Sequence, residues 1–155
     1  MQILFETPDQ PDIRALLAEL DTYLYSLYPA DKVYALDIAS LCAPNVSFAV
    51  VRDAAGAPAG CSAIVINPEY GEIKRVYVRP QARGQGLARR LIEALEARAT
   101  EAGCRTFRLE TGPTQTDARM LYEGLGYRCR GPFGDYPLDE HSVFMEKKTS
   151  EDIAA

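Results

Sequence analysis

The chain has 155 residues, 47% of them apolar and 25% charged, and carries a net charge of −5. That is about one globular domain, with apolar content sufficient for a core that needs no metal or disulfide support. The acidic balance argues against broad nucleic-acid binding and no apolar run approaches the length of a membrane span.

At the N-terminus, MQILFETPDQ has no basic segment followed by a long apolar one, so a cytoplasmic location is expected. Residues 2–6 read as a short strand. Asp9 is placed to cap a helix opening near Pro11, and Ile13, Leu16, Leu17, Leu20, Leu24 and Leu27 follow at helical spacing until Pro29. A second short helix is predicted around Val33–Cys42. Val46–Asp53 and Cys61–Asn67 are apolar strands joined by the turn AAGAPAG, a hairpin. In Glu72–Arg79 the pattern alternates, with Ile73, Arg75, Tyr77 and Arg79 on one face and Glu72, Lys74, Val76 and Val78 on the other. A helix is predicted over Gly84–Ala102: Leu87, Leu91, Leu95 and Ala99 make one face and Gly103 takes the C-cap position.

Thr106–Glu110 is a strand, Thr116–Leu125 a helix stopped by Gly126, and Tyr127–Cys129 the start of another strand. Gly131–Glu140 is a long loop before the last strand, Ser142–Met145. KKTSEDIAA is expected to fray, with a domain over 1–148 and a flexible tail over 149–155. The order of elements predicts an α/β fold with a mixed sheet, and the strand–helix–strand over 72–110 predicts a right-handed parallel crossover.

Four cysteines (Cys42, Cys61, Cys104, Cys129) form no CxxC pair, and His141 is the single histidine. No metal site is expected, and the thiols read as reduced and mostly buried. From Lys74 to Arg90 there are six basic residues (Lys74, Arg75, Arg79, Arg83, Arg89, Arg90) and no acidic one. In an acidic chain, that window points to a localised anion site.

The window contains Gly84-Gln85-Gly86. A dinucleotide fingerprint needs a small third residue and a strand ending at the first glycine. Here Arg89 holds the third position and Arg79–Arg83 intervene after Val78, although Glu110 lies roughly 20 residues on as that fingerprint asks. The P-loop pattern is absent. An anion cradle at a helix N-terminus fits, since free N–H groups and the dipole meet there, and a plain turn also remains open.

Gln81-Ala82-Arg83-Gly84-Gln85-Gly86 matches the (Q/R)xxGx(G/A) signature of the GNAT superfamily of N-acetyltransferases. RLETG at Arg108–Gly112 and ARMLYEGLGY at Ala118–Tyr127 resemble the later blocks of that family, so that nearly the whole chain is similar to it. GEIKRVYV and GPFGDY followed by SVFMEK look like a poorly characterised bacterial subgroup.

The resemblance implies a mostly antiparallel mixed sheet, flanked by helices and splayed at the central parallel strands, with acetyl-coenzyme A as co-substrate and no metal. By carry-over, backbone N–H groups of Arg83, Gly84, Gln85, Gly86, Leu87 and Ala88 would hold the pyrophosphate. Val76, Tyr77 and Val78 would pair with the pantetheine, and the Val78 N–H would stabilise the oxyanion. Tyr122 matches the family tyrosine that acts as general acid, and Glu72 is placed to act as base through water. Gln115 stands where many members have asparagine, with the same amide on a longer reach.

On the acceptor side, the resemblance points to Tyr25, Tyr28 and Tyr136, in a tyrosine-rich cover that suits a small cationic amine. The expected activity is direct acetyl transfer to a primary amine of a small or amino-acid-like molecule. A protein or peptide acceptor, a non-catalytic acyl-coenzyme A binding module and a nicotinamide-dependent oxidoreductase are the alternatives. Neither a nucleic-acid nor a membrane partner is expected, and a homodimer stays open.

Overall fold

Residues 1–149 are described by a computed structural model. The elements are β1 (Gln2–Phe5), α1 (Pro11–Leu27), α2 (Ile38–Leu41), β2 (Val46–Arg52), β3 (Pro58–Ile66), β4 (Gly71–Val78), α3 (Leu87–Glu101), β5 (Thr106–Thr111), α4 (Thr116–Gly124), β6 (Arg128–Arg130) and β7 (Val143–Lys148). They form one seven-stranded sheet in the order β1-β2-β3-β4-β5-β7-β6. Every neighbouring pair is antiparallel except β4 with β5.

Alternation along β2 decides how the layers stack. Phe48 and Val50 join Ile13, Leu16, Leu17 and Leu20 of α1 on one face of the sheet. Ala49 and Val51 join Leu87, Leu91, Ile92 and Leu95 of α3 on the other. Each of these α3 side chains is buried, which contributes about 1.5–3 kcal/mol apiece. Among the described residues, no helix is long and apolar enough to cross a membrane.

Several local expectations need correction. Asp9 does not cap α1: Gln10 is the N-cap residue and the Asp9 carboxylate pairs with Arg14 instead. The stripe of α1 drifts outward, leaving Leu27 exposed. The second helix is a single turn, capped by the Asp37 carboxylate accepting from the Ser40 N–H at 2.8 Å. Helix α3 begins at Leu87 rather than Gly84, because Gly84 and Gly86 are left-handed, with φ of 80° and 73°. The last strand runs on to Lys148, and Lys147 Nζ reaches Glu96 at 2.8 Å, so the first two residues of KKTSEDIAA are ordered into the sheet. The tail over 150–155 lies outside the described residues.

The face assignment in β4 also changes. Arg75 has φ 61°, and the β3/β4 register slips between Cys61 and Ala63 opposite it. This is a bulge. Ile73 therefore packs with α3 while Tyr77 packs with α1, although strict alternation puts them on one face. Past the bulge, β4 and β5 part. They pair only over Gly71–Ile73 with Phe107–Leu109, yet β4 runs to Val78 and β5 to Thr111.

Candidate active site

A cleft opens where β4 and β5 separate. Its walls are Leu20 and Leu24 of α1, Tyr28 at the C-cap of that helix, the Lys32–Ala35 connector, residues 72–76 of β4, residues 109–111 of β5, and Tyr122 of α4. Gly112, Gln115 and His141 complete the lining.

One edge of this cleft is bare backbone. The Arg79 N–H donates to the Ala59 carbonyl at 2.8 Å. Alternate residues of an antiparallel strand turn their N–H groups to opposite edges. Those of Val78 and Val76 therefore face away from β3, into the gap that β5 leaves. The Tyr77 side chain is buried against α1, so this residue offers the gap no side chain. Arg83 Nε donates to the Val78 carbonyl at 2.9 Å, tying the following turn to the strand end.

In that turn, a Cβ on Gly84 or Gly86 would meet nothing within 4 Å. Glycine is required there by the left-handed backbone, and the space beside it is open. The Arg90 N–H donates to the Gly86 carbonyl at 3.1 Å, opening the helical ladder. The N–H groups from Gly86 to Arg89, including those of Leu87 and Ala88, thus have no acceptor within the helix. No side chain caps them.

The basic window divides in two. Lys74, Arg75 and Arg79 are taken by Glu72, Asp21 and Glu19 on the α1 side. Arg83, Arg89 and Arg90 donate to the backbone carbonyls of Val78, Gly124 and Met1, Arg83 also lies over the Tyr77 ring, and none of the three has a carboxylate partner among the described residues. Half of the expected cluster is therefore structural ion pairing.

At the base of the cleft, Tyr122 is buried with its ring edge-on to Tyr127. Burial, and then the nearby Glu110 charge, hold its phenol well above the ordinary range, so it stays protonated. Glu72 Oε2 accepts the Tyr136 hydroxyl and the Lys74 ammonium, the latter at 3.4 Å. Lys74 Nζ also donates to Tyr136 at 2.7 Å and to the Tyr34 carbonyl at 3.1 Å. Glu72 is thus a held carboxylate. Glu110 has no salt bridge among the described residues. Burial pushes its carboxyl up to about 7, against the opposing pull of Ser142 and Lys74.

Glu110 escaped the sequence reading of the acid–base groups. Its signal was a charged residue at the end of β5 on the face opposite the buried Phe107 and Leu109. Arg108 on that same face finds Glu146 at 2.7 Å, while Glu110 is left without such a partner.

The three tyrosines of the acceptor side separate. Tyr28 lines the cleft, and its hydroxyl meets Thr114 Oγ1 at 2.8 Å and Gln115 Oε1 at 3.2 Å. Tyr25 is 55% exposed and lies outside the lining. Tyr136 stands behind Glu72, in contact with Tyr34, Phe133 and Phe144. The Gln115 amide oxygen accepts from the Gly112 N–H at 3.0 Å, bracing the turn into α4.

Cys61 and Cys104 are buried, but Cys42 and Cys129 are exposed, so only half the thiols follow expectation. Burial pushes the Cys61 thiol up to about 12. His141 Nδ1 lies 2.8 Å from Asp139, and no group of three or more potential ligands is assembled for a metal among the described residues.

Comparison with known proteins bears on this geometry. The model of the acetyltransferase (GNAT) family matches residues 11–127. An "IAA acetyltransferase" of Azospirillum brasilense is 45% identical over 144 residues, 92% of this chain and 94% of that one. An uncharacterized N-acetyltransferase of Bacillus subtilis, YsnE, is 30% identical over 141 residues, 87% of this chain and 93% of that one. Among solved structures, one described as an acyl-CoA N-acyltransferase from Klebsiella pneumoniae superposes with a TM-score of 0.81 at 39% identity, covering 95% and 96% of the two chains. PaiA N-acetyltransferase from Thermoplasma acidophilum, in complex with coenzyme A, gives 0.72 at 16% identity over 96% and 99%, a likeness of fold.

Proposed function

The chain belongs to the acetyltransferase (GNAT) family, an acetyl-coenzyme A dependent acetyltransferase, and from that premise we propose that it acetylates a primary amine of a small molecule. The observation that carries this reading is the β4 edge beyond Ile73, unpaired with β5, which at Val76 opens onto the same cleft as Tyr122 and Glu110.

The pantetheine amides are extended and alternate donors with acceptors, so they complement a free strand edge. The pyrophosphate fits the open turn from Gly84 to Ala88, where left-handed glycines, the free N–H groups from Gly86 on and three arginine side chains meet, whereas the Arg83 N–H is taken by the Pro80 carbonyl at 3.3 Å. With the donor so placed, the Val78 N–H faces the thioester carbonyl and stabilises the charge that grows on its oxygen.

An amine attacks only after losing a proton. Of the two carboxylates, Glu72 is already engaged with Tyr136 and Lys74, whereas Glu110 titrates in the range a base needs at neutral pH. Glu110 therefore takes the amine proton, and Glu72 holds Tyr136 and Lys74 in place. Tyr122 remains protonated and donates to the departing sulfur. Its raised pKa favours a hydrogen bond to the thiolate over full proton transfer. Tyr28 forms the acceptor wall with Leu20 and Leu24, and Tyr25 serves only at the rim.

The test is release of free thiol from acetyl-coenzyme A across a panel of small amines, extended to the IAA of the Azospirillum relative's name. Turnover of at least one amine is expected, with Tyr122→Phe lowering kcat by about 10²-fold while coenzyme A binding persists. Binding of acetyl-coenzyme A without thiol release on any acceptor would remove the amine-transfer reading and leave a binding module.

A further inference from the structure

Among the described residues, Arg75 is the single non-glycine with a left-handed backbone, at φ 61°. Glycine is the usual occupant of such a position, and a long side chain with a Cβ is a poor one. Its guanidinium is also unusually placed. The side chain is 5% exposed and crosses to α1, where Nη1 donates to Asp21 Oδ1 at 2.6 Å and Nη2 to the Leu17 carbonyl at 3.5 Å. Its Nε is buried without a partner. A strained backbone and an unsatisfied buried donor thus coincide at one residue, at the point where β3 and β4 slip register and β4 leaves β5.

We propose that Arg75 is a positioning residue for acetyl transfer: its ion pair with Asp21 fixes the bulge that aims the Val76 and Val78 N–H groups, and ties it to α1. This rests on the amine-acetylation reading above. The two ends of the pair explain why one contact serves both substrates. Val76 immediately follows Arg75, so the left-handed turn at 75 sets the direction in which the next N–H groups emerge. Asp21 is next to Leu20 and one turn before Leu24, the α1 side chains that line the cleft. Movement of α1 relative to β4 would displace the acceptor wall from the thioester site, and the ion pair opposes that movement. Side-chain fit alone does not require the bulge here, since a glycine would adopt φ 61° with less strain.

The experiment separates backbone shape from tether. Arg75→Gly keeps a residue that accepts the left-handed backbone and removes the ion pair, and Asp21→Asn weakens the pair from the other side. Each variant is expected to lose about 10- to 100-fold in kcat, with acetyl-coenzyme A affinity changed by less than about twofold. The double variant should be no worse than Arg75→Gly alone, because both remove one interaction. Arg75→Gly retaining kcat within about twofold, or losses that add in the double variant, would overturn the proposal.

A second measurement does not need turnover. In the wild type, the amide proton shifts of Val76 or Val78 should differ between acetyl-coenzyme A and coenzyme A, and Arg75→Gly should abolish that difference. Its persistence in the variant would sink the proposal independently of any acceptor. If the wild type shows neither thiol release nor a ligand-induced shift, the parent reading itself fails.

Discussion

A half-buried carboxylate without a cationic partner works against folding, and Glu110 is held in that condition. Its folded pKa of about 7 lies above the ordinary carboxyl value of 4.5, so the folded state binds the proton more tightly than the unfolded chain. Stability from this group is therefore fully present below the unfolded value and lost as pH rises through about 7. Glu110→Gln removes the charge that burial disfavours. Thermal unfolding should show it more stable than wild type at pH 8, by about 1–3 kcal/mol, with little difference at pH 5. The same substitution should remove the acid limb near 7 from the kcat/KM profile and lower the plateau, whereas Glu72→Gln should keep that limb. Such opposed effects on stability and activity are what a functional carboxylate gives and a structural one does not. Spacing marked Glu110 for a dinucleotide fingerprint and not as an acid–base group, because its pKa depends on which neighbours the sheet brings near. Tyr122, by contrast, was legible through its motif, and Arg75 was legible as a strand residue but not as a bulge.

Elements with a repeating pattern were readable where a single face decides burial. The α1 and α3 stripes are of this kind, while the β2–β3 hairpin, buried on both faces, was readable from its continuous apolar runs and the turn between them. The start of α3 was lost at the left-handed Gly84 and Gly86, since such a residue serves a helix start or a turn, whereas the left-handed Gly103 and Gly126 marked the ends of α3 and α4 to within a residue. Gly84 and Gly86 belong to the turn, and this shifts the free N–H groups to the end that faces open space. Gly86→Glu would place an L-residue at φ 73° and a carboxylate beside the three arginines that lack a carboxylate partner. Calorimetry should show acetyl-coenzyme A binding weakened at least 100-fold, or about 2.7 kcal/mol, while circular dichroism keeps the wild-type secondary structure. Unchanged affinity would separate the turn from the phosphates. Gly112 acts differently. A Cβ there would fall inside the Tyr28 phenol, so the glycine of RLETG exists to let Tyr28 reach Thr114 and Gln115. Gly112→Ala should cost about 1–3 kcal/mol in urea unfolding, and adding Tyr28→Ser should recover part of it. That link joins residues 84 positions apart, which no local pattern reveals.

At the scale of the whole molecule, the alternation of elements already determined a mixed α/β sheet, and the motif resemblance supplied its split. What remained hidden is how little joins the two halves at that split. The β4–β5 ladder holds three residue pairs, and beyond them each strand presents an edge to the cleft. Unpaired edges are ordinarily a liability, because they template pairing with other chains. Here the β4 edge at Val76 opens into a cleft lined by Leu20 and Leu24 of α1 and Tyr122 of α4, which suits a slender extended ligand better than another sheet. Acetyl-coenzyme A bound there would complete the ladder and couple the β1–β4 half to the β5–β7 half. Binding to the folded state alone raises stability by mass action, about 2.7 kcal/mol at a hundredfold excess over Kd. The gain should therefore appear as a higher Tm that tracks ligand concentration. Hydrogen exchange gives the location: protection should rise at the amides of Val76 and Val78 and across Gly86–Arg89, and stay unchanged in β2. Protection confined to the turn would mean that the phosphates dock without the strand edge taking part, and would exclude Val78 from the oxyanion role.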